Sequence, residues 1–223
     1  QMLNQALTSA GYKNLSEYRQ KMIKQIQYAN FLLDYIDDHF DDVFNDYYQQ
    51  CAPKYVSLIK ISVSDTSSPT DNETSKLNEV KELISNTDKS FGDIAQDYSN
   101  DSTSSKKGSL GIVDSKDTSG IANSYGKDVF NAIEALSEGQ VSDVITGDDG
   151  YYFVKVTSTD KKTLKKELKK TDIDSPLLAY DDYLQYVVYN SYKINYKDKD
   201  IKKIVQEVVN KALEERKTER GEA

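Results

Sequence analysis

At Pro53 the spacing of apolar residues changes from steps of three and four to steps of two, and from about Thr171 it changes back. A helix that packs on a core needs its apolar side chains on one stripe, whereas a strand sends successive side chains to opposite faces. The chain therefore has to place a strand-containing block between two helical blocks, which is an α+β organisation. Before Pro53, residues Leu15, Tyr18, Met22, Ile26, Leu33 and Ile36 form one helical stripe. Asn14 with Glu17 three positions later has the form of a capping box, and Gly11 suits the end of a first helix that begins near Gln1. A third helix, around 42–50, has to stop before Pro53, because the residue before a proline resists the α conformation.

Beyond Pro53, Tyr55, Ser57, Ile59, Ile61 and Val63 alternate with Val56, Leu58, Lys60 and Ser62, which predicts a largely buried strand. Residues 64–74 are polar and read as a loop. Helical spacing resumes at Leu77, Val80, Leu83 and Ile84, and again over 91–98. A Ser- and Lys-rich stretch over 99–109 precedes a Gly108-Ser109-Leu110-Gly111 turn and a short strand at Ile112 and Val113. A helix is expected over 125–135, then a hairpin pairing 141–145 with 151–156 across Gly147 and Gly150. The basic run 161–170 contains Thr163, Leu164, Glu167 and Leu168, so it reads as a solvated helix or connector. Leu177, Tyr180, Leu184, Val187 and Val188 form a stripe in the last block, as do Ile201, Ile204, Val205, Val208 and Leu213. Neither terminal block can bury its helical faces alone, so the two are expected to pack as one all-α lobe with the middle block inserted. The expected division is 1–53, 54–158 and 159–223, with residues 216–223 fraying.

Hydrophobic content of 37% and charged content of 30% describe a globular chain, with no apolar run near the roughly 20 residues that cross a bilayer. A net charge of −8 without a basic stripe argues against nucleic acid as a partner. One cysteine, Cys51, excludes an internal disulfide. His39 lies among Asp37, Asp38, Asp41 and Asp42, but these acids fall all around a helix. That pattern reads as an acidic helix end, with no metal site. With a single histidine, zinc hydrolysis and Ser-His-Asp chemistry have no support. The chain starts inside a helical pattern, so the expectation is a fragment, and any export signal would lie upstream of it.

Four pieces of the middle block, in order, resemble the parvulin family of peptidyl-prolyl isomerases. They are Phe91 to Ser99 (FGDIAQDYS), Gly108 to Gly111 (GSLG), Val129-Phe130 through Leu136 to Ser142 (LSEGQVS), and Asp149 to Val156 (DGYYFVKV). The flanks, through Tyr12 to Arg19, Tyr47 to Gln50 and Ile194 to Ile201, are similar to the helical parts of PrsA-type and SurA-type foldases. The resemblance implies a small antiparallel sheet with surrounding helices. It also implies an exported protein on the outer face of the cell membrane that helps secreted chains fold. Its partners would be unfolded or newly exported polypeptides and their X-Pro segments. The membrane would be met only through a lipid anchor upstream of residue 1, since Cys51 lies too deep in the chain to carry one. A homodimer is left open.

Isomerising an X-Pro bond lowers a torsional barrier of roughly 18–20 kcal/mol without breaking a bond, so no metal or cofactor is implied. The site has to hold the proline ring and favour the twisted amide. By resemblance, the pocket positions are Leu110, Ile121, Tyr125 and, behind them, Phe130. Lys60 and Tyr152 stand where the family carries its two histidines, Asp101 where it carries Cys or Asp, and Thr146 supplies a hydroxyl. Lysine offers only donors and is costly to bury unpaired, so Lys60 either pairs with Asp101 or turns its head to solvent. The expected function is therefore a foldase or chaperone that binds unfolded segments and has a weak isomerase centre. A fully active isomerase and a non-catalytic surface interaction protein are the alternatives. The seventeen tyrosines suit client binding, because each joins apolar area to a polar tip.

Overall fold

The computed structural model describes residues 2–169 and 175–219; the expectations for 170–174 and 220–223 lie outside them. The chain divides into two compact units, Gln1–Asp46 with Asp172–Ala223, and Tyr47–Thr171. The boundaries anticipated at 53/54 and 158/159 both fall inside the second unit.

The second unit is built on a four-stranded antiparallel sheet in the order β2-β1-β4-β3. Its strands are β1 (Lys54–Ser62), β2 (Ser109–Val113), β3 (Ile145–Thr146) and β4 (Gly150–Ser158). The middle of β1 is buried because both of its faces are covered. Val56 and Leu58 join Val113, Ile121, Val129, Ile133, Tyr152 and Val154 in one buried cluster. Ile59 and Ile61 point the other way, into a cluster with Leu77, Val80, Phe91, Ile94, Ala95 and Phe153. The first cluster is closed by α6 (Ile121–Tyr125) and α7 (Lys127–Ala135). The second is closed by α4 (Asp71–Asn86) and α5 (Phe91–Tyr98). A short 3-10 helix (Ser102–Lys106) follows α5, and α8 (Lys161–Leu168) buries Leu164 and Leu168.

Three local expectations are corrected. The loop over 64–74 is too long, because Thr70 and Glu73 form a reciprocal capping box that starts α4 at Asp71. The single helix expected over 125–135 starts earlier and is two helices, broken at Gly126, whose φ of +98° a helix cannot continue through. The hairpin is shorter than its apolar pattern: β3 is two residues long, and Val141 contributes only an isolated bridge to Lys155. The C-terminus of α7 is held from β1 by Lys54, whose Nζ donates to the carbonyls of Ile133, Glu134 and Leu136 at 2.9, 2.7 and 3.1 Å.

The first unit contains α1 (Met2–Ser9), α2 (Leu15–Asp38), the start of α3 (Phe40–Cys51), α9 (Pro176–Ala179), α10 (Asp182–Ser191) and α11 (Lys199–Glu219). Asn14 caps α2 through the backbone N–H of Glu17, as the sequence pattern required. Leu7, Leu32, Ile36, Val43, Phe44, Leu177, Tyr180 and Leu184 are its buried apolar side chains. The fraying expected from residue 216 does not begin there. Arg216 is inside α11 and pairs at 2.5 Å with Asp46, which also accepts from Tyr180 Oη at 2.5 Å. The α11 stripe also behaves differently from expectation. Ile201, Ile204 and Val208 are 56–65% exposed, and on α2 Ile23, Ile26, Tyr28 and Phe31 are exposed as well. His39 caps the C-terminus of α2, with its ring 4.5 Å from that of Tyr35.

Candidate functional site

The register of β1 against β4 makes the site. Lys60 lies directly opposite Tyr152, and both positions belong to the sheet face that also carries Leu58 and Val154. Ile145 of β3 pairs with Tyr152 from the other side, and Thr146 with Tyr151. A cavity of about 460 Å³ opens over this face. Its walls include Tyr125 and Val129 from α6 and α7, Ile145 and Thr146 from β3, Asp149 from the turn and Tyr152 from β4. Gly147 is needed at the rim, because a Cβ there would lie 2.6 Å from the Tyr152 ring.

Lys60 forms an ion pair with Asp149, and the same carboxylate accepts the Tyr152 hydroxyl proton. Neither arrangement foreseen for Lys60 holds. Its side chain is only 18% exposed, and its partner is not Asp101. Asp101 is turned to its own loop, accepting from Thr103 N at 2.8 Å and Thr103 Oγ1 at 2.6 Å, and its charge bears on the Tyr125 hydroxyl. The Asp101 loop is fixed to β1 by Lys60 N donating to Ser99 Oγ at 3.0 Å and Asn100 N donating to Lys60 O at 2.8 Å. The rings of Tyr125 and Tyr152 meet edge to face, 6.1 Å apart.

The electrostatics follow from these contacts. The hydrogen bond from Lys60, and then that from Tyr152, hold the Asp149 carboxyl below the usual carboxylate range. Burial, followed by the neighbouring Asp149, raises the Tyr152 phenol well above its ordinary value. Burial and the charge of Asp101 push Tyr125 up to about 12. Both phenols therefore stay protonated at neutral pH, and the Tyr152 proton is directed at Asp149.

Of the residues expected in the site, Lys60, Tyr125, Thr146 and Tyr152 converge, and Asp101 joins them through Tyr125. Ile121 is buried in the cluster beneath, while Leu110 and Phe130 pack against that cluster without lining the cavity. Asp149 was missed. In Gly147-Asp148-Asp149-Gly150 it reads as turn composition, and only the β1–β4 register shows that it faces Lys60.

Residues 58–158 match the Rotamase family, described as the PPIC-type PPIASE domain. The cross-strand pair and its cavity thus lie in a parvulin-type peptidyl-prolyl isomerase domain. The chain around that domain is PrsA-like. Over 159 residues it is 31% identical to the foldase protein PrsA of Staphylococcus aureus, covering 68% of this chain and 47% of that one. Over 136 residues it is 35% identical to the PrsA foldase of Staphylococcus epidermidis, covering 58% and 39%. The chain therefore spans about half or less of the length of these curated relatives. The crystal structure of PrsA from Bacillus subtilis aligns over 90% of this chain and 76% of that one, at 22% identity and a TM-score of 0.42. Among the described residues no helix is long and apolar enough to cross a membrane.

Proposed function

We propose that this chain is a foldase for exported polypeptides, acting on the outer face of the cell membrane as a lipid-anchored protein. In this reading it binds unfolded, proline-containing segments at the cavity beside Tyr125 and Tyr152, and it isomerises the X-Pro bond weakly. The observation that carries the reading is the cavity of a PPIC-type domain whose wall holds Tyr125, Asp149 and Tyr152, with Lys60 opposite Tyr152 in the sheet and paired to Asp149. The cavity presents two aromatic rings and the apolar side chains of Val129 and Ile145, surfaces against which a proline ring can be desolvated. Weak catalysis follows from the polar groups. Tyr152 has a single hydroxyl proton and already gives it to Asp149, so that proton has to be withdrawn from a carboxylate before it can serve a twisted amide. The exposed Ile23, Ile26, Phe31, Ile201, Ile204 and Val208 offer apolar area to clients in the helical unit.

The test is exchange NMR on a series of X-Pro peptides. The expected result is peptide resonances that shift on binding, with slow cis/trans exchange that falls further in Tyr152→Ala. Fast exchange unaffected by Tyr152→Ala and Asp101→Ala would overturn the weak-centre reading. Peptides that never shift would overturn the binding reading.

A further inference from the structure

We propose that Asp149 is the positioning residue of this centre, its carboxylate on the cavity wall tying the Tyr152 hydroxyl there to the Lys60 ammonium behind it. The inference rests on the reading of that cavity as the site for proline-containing segments. Three separate parts of the chain meet here: the middle of β1, the start of β4, and the turn before β4. The register places Lys60 opposite Tyr152, and the contact the two make directly is between the ammonium and the ring. The ammonium lies 5.7 Å from the Tyr152 ring centroid, a cation–π distance. Asp149 supplies the acceptor that both need, and its side chain is 64% exposed, so it reaches inward from the surface of the turn.

The consequence is directional. A tyrosine hydroxyl has one proton, and Asp149 takes it, so the Tyr152 oxygen keeps lone pairs for a bound peptide. Lys60 spends one of three N–H donors on Asp149 and keeps two. Asp101 does not do this work, because its carboxylate is turned to the backbone and hydroxyl of Thr103. The close approach of Gly147 to the Tyr152 ring lets the turn fold over the phenol and bring Asp149 to it. The bridge lowers the Asp149 carboxyl, and on top of burial it adds to the raising of the Tyr152 phenol.

The experiment uses the full chain with 13C-labelled tyrosine rings, and the variants Asp149→Ala, Lys60→Met and their double. Two quantities are read: the ionisation of Tyr152 across alkaline pH, and the engagement of an X-Pro peptide by exchange rate and affinity. Lys60, Asp149, Asp101 and Tyr125 are the charged or titratable groups facing Tyr152. Asp149→Ala is expected to bring Tyr152 ionisation to lower pH and weaken peptide engagement about tenfold or more, the worth of one hydrogen bond to a charged group. Adding Lys60→Met to Asp149→Ala should change engagement by less than about twofold, since residues acting as one unit are not additive. Tyr152 ionisation unmoved by Asp149→Ala, or single effects that multiply in the double variant, would overturn the proposal. A wild-type chain that engages no peptide would overturn the proline-segment reading, and the positioning role with it, whatever the Tyr152 titration shows.

Discussion

Replacing Lys54 by methionine tests how the cavity wall is held. Lys54 is the first residue of β1, and its ammonium serves three carbonyls at the end of α7, the helix whose other end lines the cavity. Methionine keeps a stem of similar length and apolar character but removes all three donors and the charge. The last carbonyls of a helix have no partner within the helix, and a cation placed there also meets the negative end of the dipole. In a partly buried setting that charge contributes up to about 2 kcal/mol. A hydrogen bond from a charged donor is worth about 1.5–3 kcal/mol. The three contacts share one ammonium, and water can reach part of the vacated site, so the terms do not add and a loss of about 2 kcal/mol is expected. For a unit of this size that corresponds to a fall in melting temperature of about 8 °C. Guanidinium unfolding followed by circular dichroism measures it, and an unchanged denaturant slope would show that the loss lies in the folded state. Peptide binding per folded molecule should stay as in the wild type. A loss below about 0.5 kcal/mol would refute the reasoning, since it would mean that water replaces Lys54 at all three carbonyls.

Three further outcomes are expected. Arg216→Met should destabilise the helical unit by about 3 kcal/mol, the low end for breaking a buried ion pair because Tyr180 still donates to Asp46; thermal unfolding checks it. Tyr125, pushed up to about 12 in the folded chain against about 10 unfolded, adds stability that is complete below pH 10 and lost as pH rises through 12. Asp101→Asn should lower that ionisation, read by tyrosinate absorbance. Gly108→Ala should cost more than about 1 kcal/mol, because φ is +74° and the new Cβ would lie 2.3 Å from the Leu58 carbonyl oxygen; chemical denaturation measures the loss.

Much of the architecture was legible in the residues alone. The change of apolar period at Pro53 and its return near Thr171 marked a sheet-bearing block between helices, because the two periods demand different backbones. Local signals did well where the partner lies within a turn or two: Asn14 and Glu17 cap α2, and 91–98 form a helix as their spacing required. The capping box of Thr70 and Glu73 was there to be read, and the polar composition of 64–74 hid it. Of Lys60, Tyr125, Thr146 and Tyr152, only Tyr152 lies in one of the four motifs; the family resemblance assigns the other three to the site.

What the tertiary structure decided is which charged group meets which. Asp101 and Asp149 are equally available to Lys60 by composition. The register of β1 on β4 and the turn at Gly147 chose Asp149, while Asp101 was engaged in capping the 3-10 helix through Thr103. Asp46 and Arg216 stand 170 residues apart, and nothing local joins them. The α11 stripe has a core-like period, yet Ile201, Ile204 and Val208 face solvent. Periodicity reports the face a helix could bury, because it follows from the geometry of one element. Whether that face is covered, and which ions are left to pair, depends on neighbours that only the folded chain brings within reach.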